Sequence, residues 1–122
     1  MLYEIKKVKQ DDDGSVKRWF TDDDYFDIFV WIKNGNIIRF QFCYDKIDFQ
    51  RVLTWDYKKG YSHEGIDDGE VTGKYKRTPI FVMDGNFDPN TVLEKFKNES
   101  VNIDPVIRDF IIKKILEYPY NF

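Results

Sequence analysis

The chain has 122 residues, 42% of them hydrophobic, 34% charged and 18% aromatic, with a net charge of −3 and a pI near 5.2. That is one domain, 1–122, long enough to bury a core and too apolar to be disordered. The acidic balance argues against a broad electrostatic grip on nucleic acid, and no apolar run reaches the length of a membrane span.

Cys43 is the single cysteine, which excludes an intrachain disulfide and fits a reducing compartment. The first ten residues, MLYEIKKVKQ, carry lysines but no apolar stretch after them. The expectation is a soluble cytoplasmic protein.

Leu2 to Lys9 reads as a first strand, closed by the turn Gln10-Asp11-Asp12-Asp13-Gly14. Ser15 to Phe20 reads as a second strand, with Val16, Arg18 and Phe20 on one side and Lys17 and Trp19 on the other. After the polar connector Thr21-Asp22-Asp23-Asp24 comes YFDIFVWIKNGNIIRFQFCYD, Tyr25 to Asp45, two β-rich arms about Lys33-Asn34-Gly35. A two-residue turn sets Arg39 and Gln41 beside Phe26, Ile28 and Val30 and mixes the faces. A three-residue loop with glycine in the left-handed position and a G1 bulge pairs Ile32 with Asn36 and Val30 with Ile38. That register gathers Phe26, Ile28, Val30, Ile32, Ile38, Phe40, Phe42 and Tyr44 on one face, and a one-residue slip would undo it. The other face then holds Tyr25, Asp27, Phe29, Trp31, Ile37, Arg39, Gln41 and Cys43, with Asp27 and Arg39 as diagonal neighbours able to form an ion pair.

A short loop, Lys46 to Phe49, leads to a strand from Arg51 to Tyr57 with Leu53, Trp55 and Tyr57 inward and Val52, Thr54 and Asp56 outward. Residues 58–77 hold four glycines and little periodicity, which marks either a functional loop or a hairpin with a weak signature. Thr78 to Asp84 reads as a buried strand. Phe87-Asp88-Pro89 and Ile103-Asp104-Pro105 repeat one helix-start pattern, an aspartate cap followed by proline at the first helical position. The first helix runs to about Asn98 with Val92, Leu93 and Phe96 inward. The second runs from Pro105 to about Tyr118 with Ile107, Ile111, Ile112, Ile115 and Leu116 inward. Val106 and Phe110 fall on its charged side, so the helix is expected either to be buried on two sides or to form a homodimer contact.

His63 is the single histidine and stands with Glu64, Asp67, Asp68 and Glu70. The set offers a general base oriented by a carboxylate or a mixed metal site; a solvated acidic loop explains the same residues. Asp84-Gly85-Asn86-Phe87-Asp88 opens like a calcium loop but has Pro89 and Lys95 where glycine and the bidentate glutamate belong. The runs Asp11–Asp13 and Asp22–Asp24 read as solvated turns. Cys43 reads as a small apolar filler, with nothing to bring His63 to it. The strand Ile37 to Phe42 alternates basic and aromatic residues but lacks the glycine-aromatic core of an RNA-recognition strand, so nucleic acid is disfavoured.

The strings RWF-T-DDDYFD, VW, NG, FQFCYDK, RVLTW, H-x₃-DDGE and TPI-x-V-x-DG-x-FD, from roughly Arg18 to Tyr118, resemble a family of small uncharacterised bacterial proteins. The resemblance supplies no activity, cofactor or catalytic residue. It implies that His63 and Asp67-Asp68-Gly69-Glu70 belong to a shared pattern. The chain departs from it at Lys46-Ile47-Asp48-Phe49, where a more glycine-rich turn is expected.

The expected fold is α+β: an antiparallel sheet of five or six strands in a meander, with two C-terminal helices packed on one face. The expected function is non-enzymatic binding of a protein partner through Tyr25, Asp27, Phe29, Trp31, Arg39 and Gln41, with no cofactor; by composition alone it is compatible with an inhibitor or immunity role. The alternative is a small enzyme or metal-binding protein centred on His63, Asp67, Asp68 and Glu70.

Overall fold

The computed structural model describes residues 1–47, 50–67, 80–83 and 89–119. Among these, seven antiparallel strands follow one another in sheet order: β1 (Tyr3–Glu4), β2 (Val16–Thr21), β3 (Asp27–Lys33), β4 (Asn36–Tyr44), β5 (Arg51–Asp56), β6 (Gly60–Asp67) and β7 (Ile80–Met83). Helices α1 (Pro89–Glu99) and α2 (Pro105–Leu116) follow the sheet. This is the expected α+β meander. The extra strand comes from β6, the first half of the 58–77 stretch. No helix among the described residues is long and apolar enough to cross a membrane.

Alternation sorts each strand onto two faces. One row runs Phe20, Ile28, Phe42, Leu53, His63 and the next runs Arg18, Val30, Phe40, Trp55, Tyr61. Both helices pack on this face. Phe96 of α1 meets Phe26 and Phe42 edge-on at centroid distances of 6.0 and 5.4 Å. α2 follows the second row: Asp104 before its first turn takes Arg18 Nη1 at 3.1 Å, and near its end Lys114 lies 4.5 Å over Trp55 while its carbonyl accepts from Tyr61 Oη at 2.7 Å. Phe20, Phe26, Ile28, Val30, Phe40, Phe42, Leu53, Phe96, Ile111 and Ile115 are fully buried. Each contributes on the order of 1.5–3 kcal/mol of transfer free energy.

The Asp104 cap is as the sequence predicts. Its Oδ1 accepts the Val106 N–H at 2.9 Å, with proline at the first helical position. Val92, Leu93 and Phe96 of α1 and Ile107, Ile111 and Ile115 of α2 are buried as expected. Leu116 is not inward: it is 62% exposed. Of the two alternatives for the charged side of α2, Phe110 follows packing within the chain: it meets Phe40 and Trp55 edge-on, at 6.4 and 5.3 Å. The sheet is wide enough to meet α2 over more than its aliphatic stripe. Val106 alone of the expected dimer pair is exposed.

The central hairpin differs from its expected turn. Asn34 and Gly35 both have positive φ (54° and 81°), and Lys33 pairs with Asn36 and Ile32 with Ile37, so the turn has two residues. A bulge then places Ile38 and Arg39 opposite Trp31, and pairing resumes at Val30–Phe40. The extra residue restores the parity that the two-residue turn alone would reverse, so Phe40, Phe42 and Tyr44 still join the core. Ile37 and Ile38 exchange sides: Ile37 packs against the core and Ile38 lies on the far face.

Two further boundaries are shifted, at β5 and at the first strand. β5 ends at Asp56, and Tyr57 is 57% exposed. The chain leaves β4 through Asp45 at φ 58°, a conformation that aspartate tolerates better than most residues. The first strand is only two residues long; the Ile5 N–H still reaches the Trp19 carbonyl at 2.9 Å, and the segment after it bows away from β2 around a groove. Beyond the bow the Gln10 side chain returns, donating to the Lys17 carbonyl at 3.0 Å and accepting the Lys17 N–H at 2.7 Å.

Candidate functional site on the second sheet face

The helices leave the opposite face of the sheet to the strands and, beside Trp31, to the segment that carries Asp11. Its rows run Lys17, Trp31, Arg39, Asp56, then Trp19, Phe29, Gln41, Thr54, Ser62, then Thr21, Asp27, Cys43, Val52, Glu64. Of the six residues expected on this face, Asp27, Phe29, Trp31, Arg39 and Gln41 are on it. Tyr25 is not: it precedes β3, packs against the core, and carries Lys95 of α1 over its ring at 4.6 Å.

One end of the face is closed by polar bonding. Asp27 accepts from Trp19 Nε1 at 3.0 Å and Thr21 Oγ at 2.7 Å, and Lys46 Nζ stands 3.4 Å from it. Lys46 also donates to the Asp22 carbonyl at 2.6 Å. The expected Asp27–Arg39 pair does not form. The bulge moves β4 along, so that Asp27 faces Cys43 and Arg39 lies two rows away. Cys43 and Val52 are buried here, and burial beside Asp27 pushes the Cys43 thiol up to about 12.

The other end is aromatic and cationic. Trp19 stacks on Phe29 at 5.5 Å, and Phe29 meets Trp31 at 6.4 Å. Lys17 Nζ lies 5.1 Å from the Phe29 centroid and 5.3 Å from that of Trp31, and the Arg39 guanidinium lies 4.8 Å over Trp31. Trp31 is only 6% exposed, and its indole N–H donates to Asp11 Oδ2 at 2.8 Å, so the first acidic run folds against this face. Arg39 Nε is fully buried with no hydrogen-bond partner among the described residues.

Two grooves meet at Arg39. One, of about 310 Å³, runs between Asp11, Asp13, Trp31, Ile38, Asp56 and the Tyr57–Lys59 turn; the other, of about 180 Å³, lies along Thr54, Asp56 and Ser62. Asp56 Oδ1 accepts the N–H groups of Lys58 and Lys59 at 2.8 and 3.2 Å. Burial opposes its charge, but those bonds, with Arg39 and Lys59 near, hold its carboxyl below the usual range. The Ser15 hydroxyl and N–H, at 2.6 and 2.9 Å, lower the Asp13 carboxyl likewise.

His63 belongs to the helix side. It is buried, and its Nε2 is 2.7 Å from Tyr44 Oη. Glu64, its neighbour, faces the other way, opposite Val52. Cys43 and His63 therefore lie on opposite faces and cannot act as a nucleophile and base. The backbone of Asp67 pairs with Ile80 at the end of β6; Asp68, Glu70 and the 84–88 stretch lie outside the described residues. Among the described residues no three His, Cys, Asp or Glu side chains converge on one point.

The site includes residues that the sequence reading left unused. Lys17, Trp19 and Asp56 share the face by parity alone, and Asp11 was legible only as one of a run. Comparison with protein-family models, with curated proteins and with solved structures finds no match. The site rests on its own geometry.

Proposed function

We propose that this chain is a non-enzymatic binding protein that holds a protein partner against the aromatic row of its second sheet face. One observation carries the reading. Both helices pack on one side of the sheet, yet the other side bears Phe29 between Trp19 and Trp31, flanked by Lys17 and Arg39. A face needing only to be wetted has no use for that much aromatic area. Tryptophan and arginine are the types that dominate interface energetics, where a rigid ring and a flat guanidinium bury large area at small entropy cost. Trp19 and Phe29 are half-buried, so their remaining surface is available to a partner.

A photo-crosslinking residue at Gln41, with a control at exposed Lys113 on α2, tests the reading in the host cell. One defined protein should be captured from Gln41 and not from Lys113, and Phe29→Ser should abolish the capture. Capture from Lys113 alone, or from neither position, would refute it.

A further inference from the structure

We propose that the groove beside Arg39 is a carboxylate site, which receives one acidic side chain of the protein partner on the guanidinium edge of Arg39. The inference rests on the docking reading above and names the chemistry the partner must present.

Arg39 is placed for this. Its guanidinium lies over the Trp31 ring, and Trp31 is itself held by its bond to Asp11. Stacking occupies a face of the planar group and leaves its in-plane N–H edge, the part that matches a carboxylate fork to fork. None of that edge is used internally: Arg39 makes no ion pair or hydrogen bond among the described residues, although its Nε is buried. The Nε is closed off from the groove, so the donors a ligand carboxylate can reach are the terminal N–H groups of the guanidinium, which have no partner among the described residues.

Charge selects the ligand. Lys33, Arg39, Lys58 and Lys59 line the groove with Asp11, Asp13 and Asp56, four cations against three carboxylates. The carboxylates are engaged: Asp11 by the Trp31 indole, Asp13 by Ser15, Asp56 by the turn it caps. The cations stand in no ion pair among the described residues. One excess positive charge suits a single carboxylate. A dianionic phosphate would exceed that one excess charge, and a run of nucleic-acid phosphates would exceed it further. About 310 Å³ holds one or two side chains, with Ile38 and Tyr57 as apolar walls.

The test is a nuclear magnetic resonance titration of the full chain with N-acetyl-glutamate α-amide, its glutamine analogue and inorganic phosphate. The glutamate probe should shift the Trp31 indole N–H and the Arg39 Nε–H saturably, and the glutamine analogue should not. Arg39→Gln should weaken binding at least about tenfold. Arg39→Lys, which keeps the charge and loses the fork, should also bind poorly; melting curves of both variants confirm that they fold. An equal response to glutamine, saturation by phosphate at lower concentration than by glutamate, no saturable response, or binding undiminished by Arg39→Gln overturns the proposal. Capture from Gln41 that is unchanged in Arg39→Gln also overturns it while sparing the docking reading. A saturable glutamate response without capture from Gln41 keeps the carboxylate site and removes the docking reading.

Discussion

Replacing Asp22 with alanine removes one oxygen that holds two backbone groups. Asp22 is 6% exposed, and its Oδ1 accepts the N–H of Tyr25 and of Phe26, each at 2.8 Å. The bond to Phe26 is buried and that to Tyr25 part-buried. A buried N–H left without an acceptor costs about 1–3 kcal/mol, so alanine should cost about 3 kcal/mol in total, nearer the full penalty at Phe26 than at Tyr25. Asparagine keeps an acceptor in the same place but not its charge, and should cost about 1 kcal/mol. A domain of this size is stable by about 6–18 kcal/mol, so the alanine variant still folds. With a urea slope of about 2 kcal/mol/M, its midpoint should fall by about 1.5 M and that of the asparagine variant by about 0.5 M. Equal midpoints for the two variants would refute the reasoning, because they would show that the oxygen acceptor is not what holds the turn. The turn matters beyond its own stability. It delivers the chain into β3, whose odd-numbered residues make the docking face.

Three other outcomes follow from the packing and the caps. The Cys43 thiol, buried and raised to about 12, should resist a disulfide reagent at pH 8 in the folded protein and react at the ordinary rate once the chain is unfolded in denaturant. Phe110→Ala should cost about 1.5–3 kcal/mol by chemical denaturation, less than a fully buried phenylalanine, whereas Val106→Asp, at 71% exposure on the same helix, should stay within about 0.5 kcal/mol. The Asp104 carboxyl is held below the usual carboxylate range by the Val106 N–H and by Arg18, against the opposing effect of burial. A carboxyl lowered on folding contributes stability that is present above its unfolded value and lost as pH falls through its folded one, so thermal melts of Asp104→Asn should decline less steeply than wild type below pH 4.

Much of this fold is written in parity. Val30, Phe40, Phe42 and Leu53 reach the core because period-two alternation survives any even change of register. For the same reason Phe29, Trp31, Arg39 and Gln41 reach the second face although the hairpin turn is two residues, not three. The bulge at Ile38 was not legible, since Ile37 and Ile38 are equally β-branched and equally apolar and only the packed sheet decides which one turns inward. β6 hid for a different reason. Its inward positions are Tyr61, His63 and Gly65, so the apolar signal of a strand is missing, and the histidine reads as a loop residue until Tyr44 is seen beside it. The acidic runs misled by their uniformity. Asp11 and Asp22 each hold a particular donor, but composition treats them like the exposed Asp12 and Asp24.

The Gln10 amide has a consequence for how the sheet ends. One carbonyl oxygen and one NH₂ group present Lys17 with the acceptor and donor that a neighbouring peptide unit would offer, at 2.7 and 3.0 Å. The side chain is in effect a strand one residue long. It satisfies the border where β1 has already bowed away, without offering a further row of free groups on its outer side. A real strand in that place would have passed the problem of an open edge one position outward, as a template for a second chain. At Lys17 the border of β2 is thus met by a group that can receive pairing but cannot propagate it.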